Sequence, residues 1–98
     1  MEQFSAPINL PKRINLPLMT ARQKELRKAR EKEQQKFGAH LRKVREAKGI
    51  SIHELAAISE LEYGQLQKTE TGQVNPTLFT IIRIAAALKI PPTELLNY

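Results

Sequence analysis

The stretch SIHELAAISELEYGQLQKTETG, residues 51–72, decides how this chain is read. It fits two short helices joined by a tight turn, with the second helix offered outward. Ser51 opens the first helix. Its hydroxyl can accept from free backbone N–H groups, and Glu54, three residues on, completes a capping box. Leu55, Ala56 and Ile58 supply an inward face, with Ala56 small enough for close helix contact. Ser59-Glu60-Leu61 makes the turn. Residues 62–71 form the second helix, and Gly72 ends it because glycine readily takes the left-handed backbone of a helix stop.

Two helices so joined make a helix-turn-helix, whose second member ordinarily lies in the DNA major groove. At 100° per residue Tyr63, Gly64, Gln67, Lys68 and Thr71 share an arc of roughly 140°, and Leu66 falls on the other side. Gln67 suits a bidentate contact to adenine, and Lys68 reaches guanine O6 or N7. Tyr63 can donate to a phosphate or pack on a thymine methyl. Gly64 permits close backbone approach, at about 1 kcal/mol of helix propensity relative to alanine. These four are the expected base contacts. Phosphate contacts are expected mainly from Arg42, Lys43, Arg45 and the basic extension over residues 20–35, with Ser51, Gln65 and Thr71 beside them. Glu62 reads as a carboxylate capping the second helix, where it opposes the positive dipole end.

Upstream, residues 20–48 read as helix. Thr20 and Gln23 make a plausible capping box, and good helix formers dominate to Lys48, with Gly38 the exception. Only Leu26, Ala29 and Phe37 are apolar between residues 22 and 37, too sparse for a coiled-coil seam. From Lys36 the pattern tightens: Phe37, Leu41 and Val44 form one apolar stripe. Three domains of behaviour follow: an extended arm over 1–19, interrupted by prolines and carrying the repeated INLP; a basic helical extension over 20–35; and a folded domain over 36–98. Downstream of the central pair, Thr77 caps a helix whose Leu78, Ile81, Ile82, Ala85 and Leu88 are expected to point inward. Pro92 opens a short last helix. No stretch reads as a strand pair, so the fold class is all-α with five helices in the domain. Its core is expected from Phe37, Leu41, Val44, Ile50, Leu55, Leu61, Leu66, Leu78, Ile81, Ile84, Ala85, Leu88, Ile90 and Leu95.

Charge separates the two halves. Residues 1–48 hold 13 Lys or Arg against 5 Glu, whereas residues 49–98 hold 3 against 5, within a chain of net charge +6. Such asymmetry points to a polyanion, with double-stranded DNA the first candidate. Cysteine is absent, which excludes disulfides and thiolate metal sites. Asp is absent too, and His40 and His53 are the only histidines. Neither a metal site nor a Ser-His-Asp triad can be assembled from this set, and both histidines read as surface residues. The glycines are too scattered for a phosphate loop. No catalytic activity and no cofactor are expected. No apolar run reaches the roughly 18 residues of a membrane span, and no secretory signal is expected, so the expected setting is cytoplasmic.

Residues 37–96 resemble the Xre, or Cro/C1-type, helix-turn-helix family. The resemblance rests on Leu41-Arg-Lys-Val-Arg45, Lys48-Gly-Ile-Ser51, Glu54-Leu-Ala56, Glu70-Thr-Gly72, Asn75-Pro76 and Ile84-Ala-Ala-Ala-Leu88, spaced without a gap. It implies a compact five-helix, lambda-repressor-like domain that binds operator DNA, usually as a dimer. It further implies a pair between Arg45 and Glu70, which orients the arginine toward a phosphate and fixes the reading helix. A homodimer contact through Leu95 or Leu96 is implied in the same way. The chain departs from the family pattern at Ile52, where glutamine is usual, at Glu60, where the turn glycine is usual, at Glu62 and at Thr69. The leading reading is thus a sequence-specific DNA-binding transcriptional regulator, expected to be a repressor, that reads the major groove with helix 62–71. Beside it stands an antitoxin or adaptor that uses residues 1–35 to hold a protein partner.

Overall fold

A computed structural model describes residues 19–98. The arm over residues 1–19 and its INLP repeat therefore lie, apart from Met19, outside the described residues. Five helices follow in order: α1 Ala21–Ala47, α2 Ile52–Ser59, α3 Tyr63–Glu70, α4 Leu78–Leu88 and α5 Pro92–Leu95. There is no strand among the described residues, and no helix among them is long and apolar enough to cross a membrane.

Local chemistry sets the boundaries. Thr20 accepts from the Gln23 N–H while the Thr20 N–H donates to the Gln23 side chain, closing the first capping box. Ser51 and Glu54 close the second in the same reciprocal way. Thr77 accepts from the Thr80 N–H at the head of α4, and Pro92 occupies the first turn of α5, where its missing N–H costs nothing. Each cap satisfies donors that the first helical turn leaves without partners. Gly49 and Gly72 take positive φ after α1 and α3, at 70° and 78°.

The core is a single apolar cluster of Phe37, Leu41, Leu55, Ala56, Leu66, Ile84, Ala85, Leu88 and Leu95. Val44, Ile50, Leu61, Ile81 and Ile90 pack at its margin. Three expected inward residues are not inside. Leu78 is 69% exposed, Ile82 41% and Ile58 56%. The reason is common to both helices: a polar residue holds the inward position instead. In α2 it is Ser59, whose hydroxyl donates to the Leu55 carbonyl at 2.6 Å and so enters the core without an unmet hydrogen bond. In α4 it is Thr80, held by the Thr77 hydroxyl. With Thr80, Ile84, Ala85 and Leu88 inward, the spacing of 3.6 residues per turn leaves Ile82 outward, whereas Leu78, the first residue of α4, is bared by its place at the helix end.

Helix α1 is one unbroken element. Its C-terminal half carries the core residues Phe37 and Leu41, and residues 21–33 are all exposed. The boundary drawn at residue 35 is a change of surroundings and not of backbone.

Candidate nucleic-acid interface

Helix α3 is built to be held on one side and bare on the other. Leu66 is fully buried, and so is Thr69, whose hydroxyl donates to the Gln65 carbonyl at 2.8 Å. That internal bond lets a threonine sit where an apolar side chain is usual. Tyr63, Gly64, Gln65, Gln67 and Lys68 are all exposed.

The C-terminal end of α3 is clamped against α1. Arg45 Nε donates to Glu70 Oε2 at 2.6 Å, and Nη2 donates to Glu70 Oε1 at 3.0 Å. A third donor, Nη1, meets the Ile50 carbonyl at 2.8 Å. The carboxylate hydrogen bonds raise the Arg45 guanidinium above its ordinary value, against the opposing effect of burial. Arg45 is only 9% exposed. Three of its five N–H donors are spent on the fold, which leaves two Nη hydrogens for its expected phosphate contact. Two glycines complete the clamp. A Cβ at Gly38 would collide with the Thr69 and Glu70 carbonyl oxygens, and a Cβ at Gly72 would lie 2.7 Å from Gln35 Cα. Gln34 Nε2 donates to the Gly72 carbonyl at 3.2 Å.

The N-terminal end of α3 rests on α2. Glu60 caps α2 in the left-handed region, with φ at 62°. That conformation costs a non-glycine residue roughly 1–2 kcal/mol. Arg83 of α4 steadies it by donating from Nη2 to the Glu60 carbonyl at 2.9 Å. Glu62 occupies the N-cap of α3 through its backbone, and its carboxylate makes no capping bond. The expected capping role is thus corrected. Extended backbone at the cap carries the helix start, and the carboxylate stays exposed. Beyond the turn, the Tyr63 ring stacks on His53, with centroids 4.2 Å apart and planes 13° apart. His53 thereby joins the candidate surface. Sequence reasoning treated it as an isolated surface residue, since nothing in the spacing of residues 53 and 63 signals a stack between two helices.

The remaining expected phosphate contacts divide. Ser51 accepts from the Glu54 N–H, which leaves its own hydroxyl proton available to an outside acceptor. Arg42 is exposed and shares its Nε with Glu46 at 3.1 Å. Thr71 is exposed, but its hydroxyl donates to the Gln67 carbonyl and accepts from Gln73, so it has no proton left to give. Lys43 stands with His40, Leu96 and Tyr98 beside the C-terminal segment. That places it on the flank of α1 turned away from α3, and its expected role is corrected on that ground. The expected dimer residues also part. Leu95 is fully buried in the core, which removes it from any contact surface, whereas Leu96 is exposed. No group of three His, Cys, Asp or Glu able to hold a metal occurs among the described residues.

A bare reading helix, clamped at one end and stacked at the other, defines a helix-turn-helix DNA-binding domain. The helix-turn-helix family HTH_3 matches residues 41–95, and the chain belongs to it. Among solved structures, the restriction-modification controller protein C.AhdI from Aeromonas hydrophila is 42% identical, with a TM-score of 0.65 over 66% of this chain and 94% of that one. The clp gene regulator ClgR from Corynebacterium glutamicum is 28% identical, with a TM-score of 0.63 over 65% of this chain and 68% of that one. An HTH_3 family transcriptional regulator from Vibrio cholerae superposes with a TM-score of 0.66 over 68% of this chain and 38% of that one, and at 21% identity speaks for the fold alone. No curated protein matches the chain.

Proposed function

We propose that the chain is a sequence-specific DNA-binding transcriptional regulator, acting in the cytoplasm as a homodimeric repressor, whose α3 reads the major groove. The observation that carries this reading is the two-sidedness of α3. Tyr63, Gly64, Gln67 and Lys68 face outward, Tyr63 with its ring stacked on His53, while Leu66, Thr69 and Glu70 are committed to the fold. Gln67 and Lys68 supply base-edge contacts, and Tyr63 and Gly64 the close approach at the head of the helix. Arg42 and Ser51 supply contacts to the flanking phosphates, which give affinity and register without sequence information. Membership of a family of DNA-binding regulators supports the reading, as do the regulatory roles printed for C.AhdI and ClgR.

The second copy is assigned to the outer face of α4. Leu78, Phe79 and Ile82 are exposed there at helical spacing, and Leu96 is exposed after α5. Large apolar side chains bared together mark an association surface. A dimer of such domains reads two half-sites about one helical turn apart.

Selection of bound sequences from a random duplex pool, at fixed salt, tests the reading. A palindromic motif is expected, and Gln67→Ala with Lys68→Ala should change it. A pool without any motif would overturn sequence-specific reading, and an unchanged motif in the double variant would overturn the assignment to α3.

A further inference from the structure

From the exposed half of α1 we infer a second DNA-binding element: a basic face centred on Arg27 and Arg30 that tracks the phosphate backbone outside the site read by α3. This inference rests on the DNA-binding reading above and extends it to residues outside the matched domain, which begins at residue 41.

The geometry comes from the continuity of α1. One face of this helix meets the C-terminal end of α3 through Gln34, Gly38 and Arg45. At 100° per residue, Gln23, Arg27 and Arg30 fall within roughly 40° of Gln34. The helix runs unbroken from Ala21 to Ala47, so the side that touches α3 continues onto these residues. Arg30 stands beside the segment after α3, where it lines an open polar cleft with Glu31, Gln34, Gln35, Gln73 and Asn75, and Gln23 and Arg27 continue its face away from the domain. The cleft lies at the C-terminal end of α3, the end that on the proposed reading adjoins the duplex backbone beside the groove. Residues 21–33 project over about 20 Å, close to six base-pair steps of duplex at roughly 3.4 Å each.

The chemistry of the face selects the partner. Protein interfaces are anchored by apolar and aromatic side chains at their centre. Here the projecting half offers only Ala21, Leu26 and Ala29; the two alanines lie well off this face and Leu26 is a single side chain at its edge. Arg27 contacts Glu31 at 3.9 Å with both side chains more than half exposed, a weak pair that leaves the guanidinium available. Arginine forks on an elongated helix match phosphate oxygens and carry no base preference.

The test measures affinity of the full chain for two duplexes. One ends at the selected site and the other continues about eight base pairs beyond it on each side. Wild type should gain affinity on the longer duplex. Arg27→Gln with Arg30→Gln should lose that gain while binding the short duplex as wild type does. On the long duplex, raising salt from about 50 to about 200 mM should cost wild type roughly tenfold more affinity than this variant, as two fewer phosphate contacts require. Arg22→Gln with Lys32→Gln removes equal charge from other faces of α1 and should keep the gain. Circular dichroism checks that all retain their helix. Equal losses in the two variants would reduce the effect to bulk charge, and no gain in wild type would leave α1 for a protein partner; either result overturns the inference. If no sequence is selected at all, the reading by α3 fails separately, and the Arg27/Arg30 comparison is still made on random duplexes of the two lengths.

Discussion

Arg45 and Glu70 form a buried two-pronged ion pair that ties the end of α3 to α1. Removing one partner strands a charge in a dry site, which costs about 3–5 kcal/mol. Arg45→Met should therefore lower stability in urea by that order. Adding Glu70→Leu to Arg45→Met should return most of the loss, because the stranded carboxylate is gone. A double-mutant cycle would show this coupling directly.

Gly38 and Gly64 should answer alanine in opposite directions. Helix propensity alone favours alanine at both by up to about 1 kcal/mol. At Gly38 the new methyl meets the Thr69 and Glu70 carbonyls, and overpacking of this kind costs about 1–3 kcal/mol. At Gly64 nothing in the chain lies within 4 Å. Thermal unfolding should place Gly38→Ala below wild type and Gly64→Ala at or above it. Gly64→Ala should weaken DNA binding all the same, since its methyl occupies the space left for the duplex.

Phe79 and Leu95 separate association from folding. Phe79 is exposed on α4 beside the Arg83 guanidinium, which lies 5.6 Å from its ring. Phe79→Glu should give a folded monomer by sedimentation, with weaker binding to a palindrome. Leu95→Ala opens a core cavity and should cost about 2–5 kcal/mol in stability without first dissociating the dimer.

The stack of His53 on Tyr63 couples α2 to the head of α3, and on the proposed reading by α3 it makes α2 a party to base reading. His53→Ala should free the Tyr63 ring and broaden the selected motif at the positions under the head of α3. His53→Phe keeps an aromatic platform and should retain them. An unchanged motif in His53→Ala would show that the stack plays no part in reading.

Tyr98 gives a pH signature. Its hydroxyl donates to Glu33 Oε2 at 2.6 Å, and that bond raises the Tyr98 hydroxyl above its ordinary value of 10.0. The raised group favours the fold while it is neutral. Its contribution is complete below about pH 10 and is lost as pH climbs through the raised value. Absorbance titration of wild type should show a late phenolate phase that Tyr98→Phe lacks. The stability difference between the two proteins should fade over the same range.

What the sequence made legible were features written in adjacent residues. The capping boxes at Thr20 and Ser51 and the cap at Thr77 depend on side-chain type and a spacing of three, so they are read correctly from the chain alone. Inward faces were harder. LFTIIRIAAAL is apolar nearly all round, so periodicity does not say which side is inside, and Thr80 takes a place that Leu78 or Ile82 fits equally well by hydropathy. The same ambiguity misplaced Ile58 against Ser59. At the candidate site, exposure of Tyr63, Gln67 and Lys68 followed from helical spacing. The burial of Arg45, the turn of Lys43 away from α3 and the His53–Tyr63 stack are tertiary facts, set by how helices cross and not by any local pattern.

The two ends of α3 are not held alike, and that difference has a mechanical meaning. At Thr69, Glu70 and Gly72 the helix is fixed like a beam set in a wall, through backbone contact with Gly38 and Gln35 and the Arg45 fork. At Tyr63 it is held by side-chain packing, the stack on His53 and Leu61 at the core margin, just after a left-handed residue, Glu60. Play should therefore grow from Lys68 toward Tyr63. An operator should be strict where Lys68 reaches it and forgiving under Tyr63, and drift in its sequence should accumulate at the forgiving end.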